Sequence, residues 1–182
     1  VIAWLNGRIL VGEGASQMKY QLKKGKNIWY SFKMELGEDL GAKYYDSELR
    51  EVDPFRIKNP VDAARVFFAY LKYLIIKYCT ENNISIDILY AVSIPASFEA
   101  NQRKDLLDAL MANDMKVSKQ ALIDEPNAAF ISYAVSRAAE DRPMFISPDY
   151  NSKVLVFDFG GGTCDISTVS YTHLRAHETL MN

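Results

Sequence analysis

Cysteine and histidine are scarce in this chain, and no surplus of charge of either sign is present. Two cysteines among 182 residues, Cys79 and Cys164, do not make the disulfide framework of a small secreted domain. One of them stands inside a glycine-rich segment, and both thiols are read as reduced, which points to a cytoplasm. The only histidines, His173 and His177, stand at i and i+4 beside Glu178. That spacing superficially offers a metal site, but no further ligand is placed nearby and none is assigned there. Lys and Arg number 21 against 23 Asp and Glu, a formal charge of −2, so neither a nucleic acid nor an anionic membrane is an expected partner. Long apolar runs are missing too. The most apolar stretch, Val66 to Cys79, is too short for a bilayer span and is interrupted by Lys72 and Lys77, so it reads as a buried helix of a soluble protein. There is no internal repeat, low-complexity tract or signal-peptide pattern. The start at Val1, without Met and already inside a strand-like run, reads as that of a fragment.

What is present is an ordinary globular composition, 49% hydrophobic and 24% charged, with chain enough for one domain or slightly more. Val1 to Leu5 reads as a strand that turns at Asn6-Gly7 into a second one. A basic, tyrosine-rich stretch, Tyr20 to Tyr45, follows. A helix is expected over Val61 to Asn82, started by Asn59-Pro60, because proline fits the first turn where its missing N–H costs nothing. Val66, Phe67, Tyr70, Leu71, Leu74 and Ile75 keep helical spacing along it. From there the pattern alternates: strand over Ile88 to Ile94, helix over Phe98 to Ala112, strand over Ala121 to Ile123, helix over Asn127 to Ala139, and strand again at Val154. This β-α-β-α-β rhythm predicts a largely parallel sheet with helices packed on it. Arg137 to Ser152, with two prolines and several charges, reads as a connecting loop.

The richest segment is Val154 to Ser170, VLVFDFGGGTCDISTVS. Val154 to Phe157 is short, apolar and β-branched, as a fully buried strand is, and Asp158 falls where that strand ends. Gly160, Gly161 and Gly162 have no Cβ, so they can bring backbone N–H groups close to an anion, and Thr163 adds a hydroxyl donor at the rim. Cys164 to Ser170 then returns at strand period. A Walker A loop or a dinucleotide fingerprint would open a helix at this point, and neither does. A glycine-turned hairpin with an acid at its mouth suits a nucleotide phosphate with Mg²⁺, which takes one or two carboxylates and keeps most of its waters. An ordinary glycine-rich hairpin turn is the plain alternative.

DFGGGTCD resembles the second phosphate loop of the Hsp70 (DnaK-type) chaperone ATPases, in the actin/hexokinase/Hsp70 superfamily. In the right order upstream, AVSIPASFEANQR (Ala91 to Arg103) is similar to that family's strand-Pro-Ala-x-Phe-helix segment, and LIDEPNAAFISYA (Leu122 to Ala134) to its strand-Glu-Pro-x-Ala-Ala-helix segment. NGRILVGEGA (Asn6 to Ala15) and FKMELG (Phe32 to Gly37) resemble its early G-x-x-x-V-G and K-x-x-x-G stretches. The resemblance implies an α/β fold of the ribonuclease H-like, actin-like ATPase type, incomplete here, with one lobe and the first hairpin of the second. Residues 1–87 would be the outer subdomain of lobe I, 88–150 its core, and 151–170 the start of the lobe II core. The last stretch breaks the strand pattern, and SYTHLRAHET resembles translated sequencing-adapter read-through. Residues 171–182 are therefore expected to be a non-native tail, the rival being that THLRAHE echoes the family's later THLGGE after a deletion.

The same resemblance implies roles. Asp158 would hold Mg²⁺ through water, where a carboxylate accepting hairpin N–H bonds is the alternative. Gly160, Gly161, Gly162 and Thr163 would wrap the β- and γ-phosphates of ATP or ADP. Asp165 would help bind a monovalent cation, K⁺, or else is an exposed strand acid. Glu125 would be the catalytic-site glutamate, or simply an acid favoured at a helix N-terminus. Lys33 would reach the γ-phosphate, or is one more solvated lysine beside Lys23, Lys24 and Lys26. Pro95 and Arg103 would be the proline switch and relay arginine that couple nucleotide state to a distant substrate-binding domain, against the plainer readings of a rigid turn and a helix surface charge. A reactive Cys164 is set against a small half-buried strand residue. The implied activity is Mg²⁺-dependent ATP hydrolysis that drives clamping and release of unfolded polypeptide, with a J-domain co-chaperone and a nucleotide-exchange factor. The first phosphate loop, the adenosine motif and the peptide-binding half are missing, so the piece alone would bind ATP weakly and turn over negligibly. The competing classes are an actin-like, MreB-type filament-forming ATPase, a sugar-kinase relative, for which no base stands out, and an Hsp70-like regulator without useful turnover.

Overall fold

A computed structural model of the chain describes residues 1–39, 41–118, 121–140, 152–159 and 164–171. It divides into two compact units, and the chain passes between them three times. Unit 1 is Val1–Tyr90 with Phe98–Lys119; unit 2 is Ala91–Ser97 with Gln120–Asn182.

Unit 1 begins with an antiparallel hairpin of β1 (Ile2–Leu5) and β2 (Arg8–Val11), closed by the pair Leu5↔Arg8. Its two-residue turn, Asn6 (φ 52°) and Gly7 (φ 74°), has both residues left-handed, the geometry that matches strand twist and that Asn-Gly favours. After a single helical turn, α1 (Glu13–Ser16), β3 (Ile28–Trp29) adds to the other edge of β1, giving the order β2-β1-β3. Short 3-10 turns follow at Phe32–Glu35 and Gly41–Tyr44. Helix α2 (Pro60–Glu81) starts as expected: Asn59 is its cap, accepting on Oδ1 from the Asp62 N–H at 2.8 Å, with Pro60 in the first position. Ala63 and Val66 on α2 pack with Ile2, Trp29, Leu49 and Ile57. Ala64 packs with Leu36, Phe98 and Ala109, the last on α3 (Ala100–Met111). The Glu99 N–H donates to Gln102 Oε1 at 2.9 Å, the returning half of a capping box on α3.

A wholly buried α2 is not what forms. Its first half is covered, whereas Tyr73, Leu74, Ile76 and Tyr78 in its second half are exposed, with only Cys79 buried beyond them. Among the described residues no helix is long and apolar enough to cross a membrane.

Unit 2 pairs β4 (Val92–Ile94) with β5 (Leu122–Asp124) in parallel, Val92↔Leu122 to Ile94↔Asp124. Helix α4 (Glu125–Ala139) begins at the residue after β5 and packs against both strands. It also packs against an antiparallel hairpin of β6 (Ser152–Phe159) and β7 (Cys164–Tyr171), paired along its whole length from Ser152↔Tyr171 to Phe159↔Cys164. Among the described strands the parallel ladder is therefore confined to β4 and β5, and β6 pairs only with β7. The strand expected from Ile88 starts only at Val92, because its three-residue partner β5 reaches no further back. The β6 strand is not buried on both faces: Leu155 and Phe157, with Ile166 opposite Phe157, form an exposed apolar face.

Candidate functional site

A cavity of about 80 Å³ lies within unit 2, with room for a few waters or one phosphoryl group rather than a whole nucleotide. Three segments wall it. From the end of β4 come Pro95, Ala96 and Ser97; from the start of α4 come Glu125 and Pro126; from the hairpin come Asp158, Asp165 and Ser167 among others. Each is placed by ordinary backbone logic. Pro95 is buried directly after the last β4 residue, where the ladder no longer needs an N–H. Glu125 is the first residue of α4, where a carboxylate meets the positive end of the helix dipole.

Asp158 and Asp165 are direct partners across the hairpin. Like charges opposite each other on a ladder destabilise it unless a cation or donors intervene. Sequence reading singled out both acids but not their pairing, although the signal was there: each lies one residue outside Phe159 and Cys164, the pair that brackets residues 160–163. Asp158 is exposed, so the expectation of a carboxylate at the end of a buried strand is corrected. It shares its side of β6 with Val154 and Val156, which are themselves only half-buried, so at this strand end the carboxylate reaches solvent and the cost of burying a charge does not arise. Asp165 is half-buried. Among the described residues no three acid, histidine or cysteine side chains converge closely enough to ligate a metal directly. The carboxylate chemistry at the cavity suits an ion that keeps its own waters.

Four of the predicted site residues thus line one cavity: Pro95, Glu125, Asp158 and Asp165. Gly160, Gly161, Gly162 and Thr163 lie outside the described residues, as do His173 and His177.

Lys33 and Arg103 belong to unit 1, and both meet Phe98. The Lys33 ammonium stands 6.0 Å from the centre of the Phe98 ring, and Arg103 Nε donates to the Phe98 carbonyl at 2.9 Å. Phe98 is itself buried against Leu36 and Ala64. The 3-10 turn carrying Lys33 is tied down at its far end, where the Gly37 N–H donates to Asp105 at 2.8 Å and the Gly37 carbonyl accepts from Asn101 Nδ2 at 2.8 Å. Asn101 and Asp105 were not singled out from sequence. They lie more than sixty residues from Gly37, and no local pattern announces the contact.

Comparison with known proteins agrees with this α/β arrangement. The family model described as Hsp70 protein matches residues 1–173. A heat shock cognate HSP70 protein of Trypanosoma brucei brucei is 28% identical over 93% of this chain and 25% of its own length. A chaperone protein DnaK of Nitrosopumilus maritimus is 28% identical over 88% of the chain and 21% of its own length. A chaperone protein HscA homolog of Burkholderia cenocepacia is 31% identical over 69% of the chain and 17% of its own length. The chain belongs to the Hsp70 family, whose nucleotide-binding domain carries the motifs found here. It spans about a quarter or less of the length of these curated relatives. The family implies the actin-like ATPase fold, with which the mixed α/β units agree, and the filament-forming and other competing classes are not favoured.

Proposed function

We propose that this chain holds the phosphate end of a nucleotide in an Hsp70 ATPase and that, within the whole protein, it serves ATP hydrolysis coupled to capture and release of unfolded polypeptide. The observation that carries the reading is the Asp158–Asp165 pair at the mouth of the hairpin, lining the same cavity as Glu125 and Pro95. Two facing carboxylates call for cations, and the four residues between their strands are Gly160, Gly161, Gly162 and Thr163. Amide hydrogens and the Thr163 hydroxyl donate to the β- and γ-phosphates. Asp158 holds Mg²⁺ through water, and Asp165 favours K⁺. Bound Mg²⁺ supplies charge neutralisation at the phosphates. Glu125 accepts from and orients the attacking water, and Lys33 neutralises charge on the γ-phosphoryl oxygens. Pro95 and Arg103 transmit nucleotide state to a peptide-binding domain.

In subdomain terms, residues 1–87 are the outer part of lobe I, 88–150 its core, and 151–170 the opening of the lobe II core; of the expected non-native tail, 171–182, Tyr171 pairs with Ser152 as the last residue of β7. The protein works in the cytoplasm with a J-domain co-chaperone and a nucleotide-exchange factor. The test is ATPase activity of the protein carrying this chain, with Glu125→Ala and Lys33→Ala beside the parent. Each change is expected to slow turnover at least tenfold, about 1.4 kcal/mol of barrier. A parent that hydrolyses ATP with neither variant slowed tenfold would remove these two assignments.

A further inference from the structure

A second cavity, of about 320 Å³, lies within unit 1 and takes no part in the nucleotide reading. Lys23, Lys24, Lys26 and Lys43 line it, against two acids, Glu35 and Asp46. The wall therefore carries two positive charges in excess.

Glu35 is already satisfied. One of its oxygens accepts from Lys24 Nζ at 2.9 Å and the other from the Tyr44 hydroxyl at 2.8 Å, while Lys43 approaches only to 3.8 Å. Lys23 and Asp46 are 3.5 Å apart, with side chains 70% and 64% exposed, so water competes for both. Lys26 leans 3.7 Å from Glu48, which is outside the wall. Three of the four ammonium groups thus hold loose contacts on flexible stems and can turn toward an incoming anion.

The wall also contains Trp29, 1% exposed, whose indole Nε1–H has no hydrogen-bond partner among the described residues. A buried N–H without an acceptor is costly, and an acceptor brought by a ligand removes that cost. Gly25 closes the same wall at φ +81°, where an added Cβ would run into the Lys43 carbonyl oxygen. The backbone there is packed as closely as glycine allows.

From these features we infer that the unit 1 pocket binds a small phosphate monoester, one oxygen accepting from the Trp29 indole and the others facing Lys26 and Lys43. A dianionic phosphate matches the charge excess, where a single carboxylate would leave half of it uncovered. The volume exceeds what bare phosphate fills, which leaves room for an organic body on the phosphate.

The test uses the ¹⁵N-labelled chain and phenyl phosphate. Trp4 and Trp29 are the only tryptophans, so two indole N–H cross-peaks appear, and Trp4→Phe assigns them. Phenyl phosphate is expected to move the Trp29 peak saturably, leave the Trp4 peak in place, and bind at least tenfold more weakly to the Lys26→Gln/Lys43→Gln double variant. Both lysines are exposed at the surface, so the variant keeps its fold, which the dispersion of the same spectrum checks. The inference is overturned if no saturable shift occurs, if phenol or sodium chloride at matched ionic strength produces the same shift, or if the double variant responds as the parent does.

Discussion

The Gly37 N–H donates to the Asp105 carboxylate at 2.8 Å across 68 residues of chain. With Asn101 holding the Gly37 carbonyl, both polar groups of one peptide segment are gripped from the same helix, and the 3-10 turn bearing Lys33 is fixed against α3.

Removing either side of that grip is expected to destabilise unit 1. Asp105→Ala deletes a half-buried, charge-assisted bond, at a cost of about 1–2 kcal/mol. Gly37→Ala meets two obstacles: the left-handed φ of +79°, and a Cβ that would stand 2.7 Å from Gln102 Cγ and 2.8 Å from Asn101 Nδ2. About 1–3 kcal/mol is expected. Urea unfolding of both variants measures this, and a Gly37→Ala protein as stable as the parent would refute the close approach.

Tyr44 sets an alkaline limit. Its hydroxyl is held well above the ordinary tyrosine range, first by burial, then by its hydrogen bond to Glu35 and by the charge of that carboxylate. A pKa higher in the folded than in the unfolded chain gives stability that is fully present below about pH 10 and is lost as pH rises beyond it. Tyr44→Phe is expected to cost about 1–2 kcal/mol at neutral pH and to flatten the loss between about pH 10 and pH 12. Parallel slopes for parent and variant over that interval would contradict it.

The Asn59 cap offers a local test. Asn59→Ala leaves the Asp62 N–H without its acceptor and is expected to lower stability by about 1 kcal/mol, while Asn59→Asp holds it. Thermal unfolding followed by far-UV circular dichroism reports both.

The facing acids of the hairpin predict opposite effects with and without metal. In a chelator, Asp165→Asn relieves the repulsion with Asp158 and is expected to stabilise by about 0.2–1 kcal/mol. In excess Mg²⁺ and K⁺ the parent gains melting temperature and the variant gains less. Equal gains would detach the pair from cation binding.

Local chemistry was legible in advance wherever neighbouring residues decide it. Asn6-Gly7 specified its turn, Asn59-Pro60 its helix start, and the alternation after Ile88 both remaining helices. Exposure was less legible, because it depends on what lies over a face. The same apolar spacing that puts Val66 in the core continues to Tyr73 and Leu74, which nothing described covers. Likewise Leu155 and Phe157 read as interior residues and are exposed. At the site, the identities of Pro95, Glu125, Asp158 and Asp165 were readable from motif and strand ends. That Asp158 faces Asp165 depended on register, and the hold on Gly37 depended on a fold-wide contact that short-range pattern does not encode.

The order in which the chain visits its two units has a practical result. Along the sequence β4 of unit 2 falls between α2 and α3 of unit 1, so no single cut yields either unit intact. A truncation after Tyr90 strips α2 of the helix it packs on, and a start at Phe98 deprives β5 of its ladder partner. Anyone seeking a minimal piece for spectroscopy must splice the gene rather than shorten it.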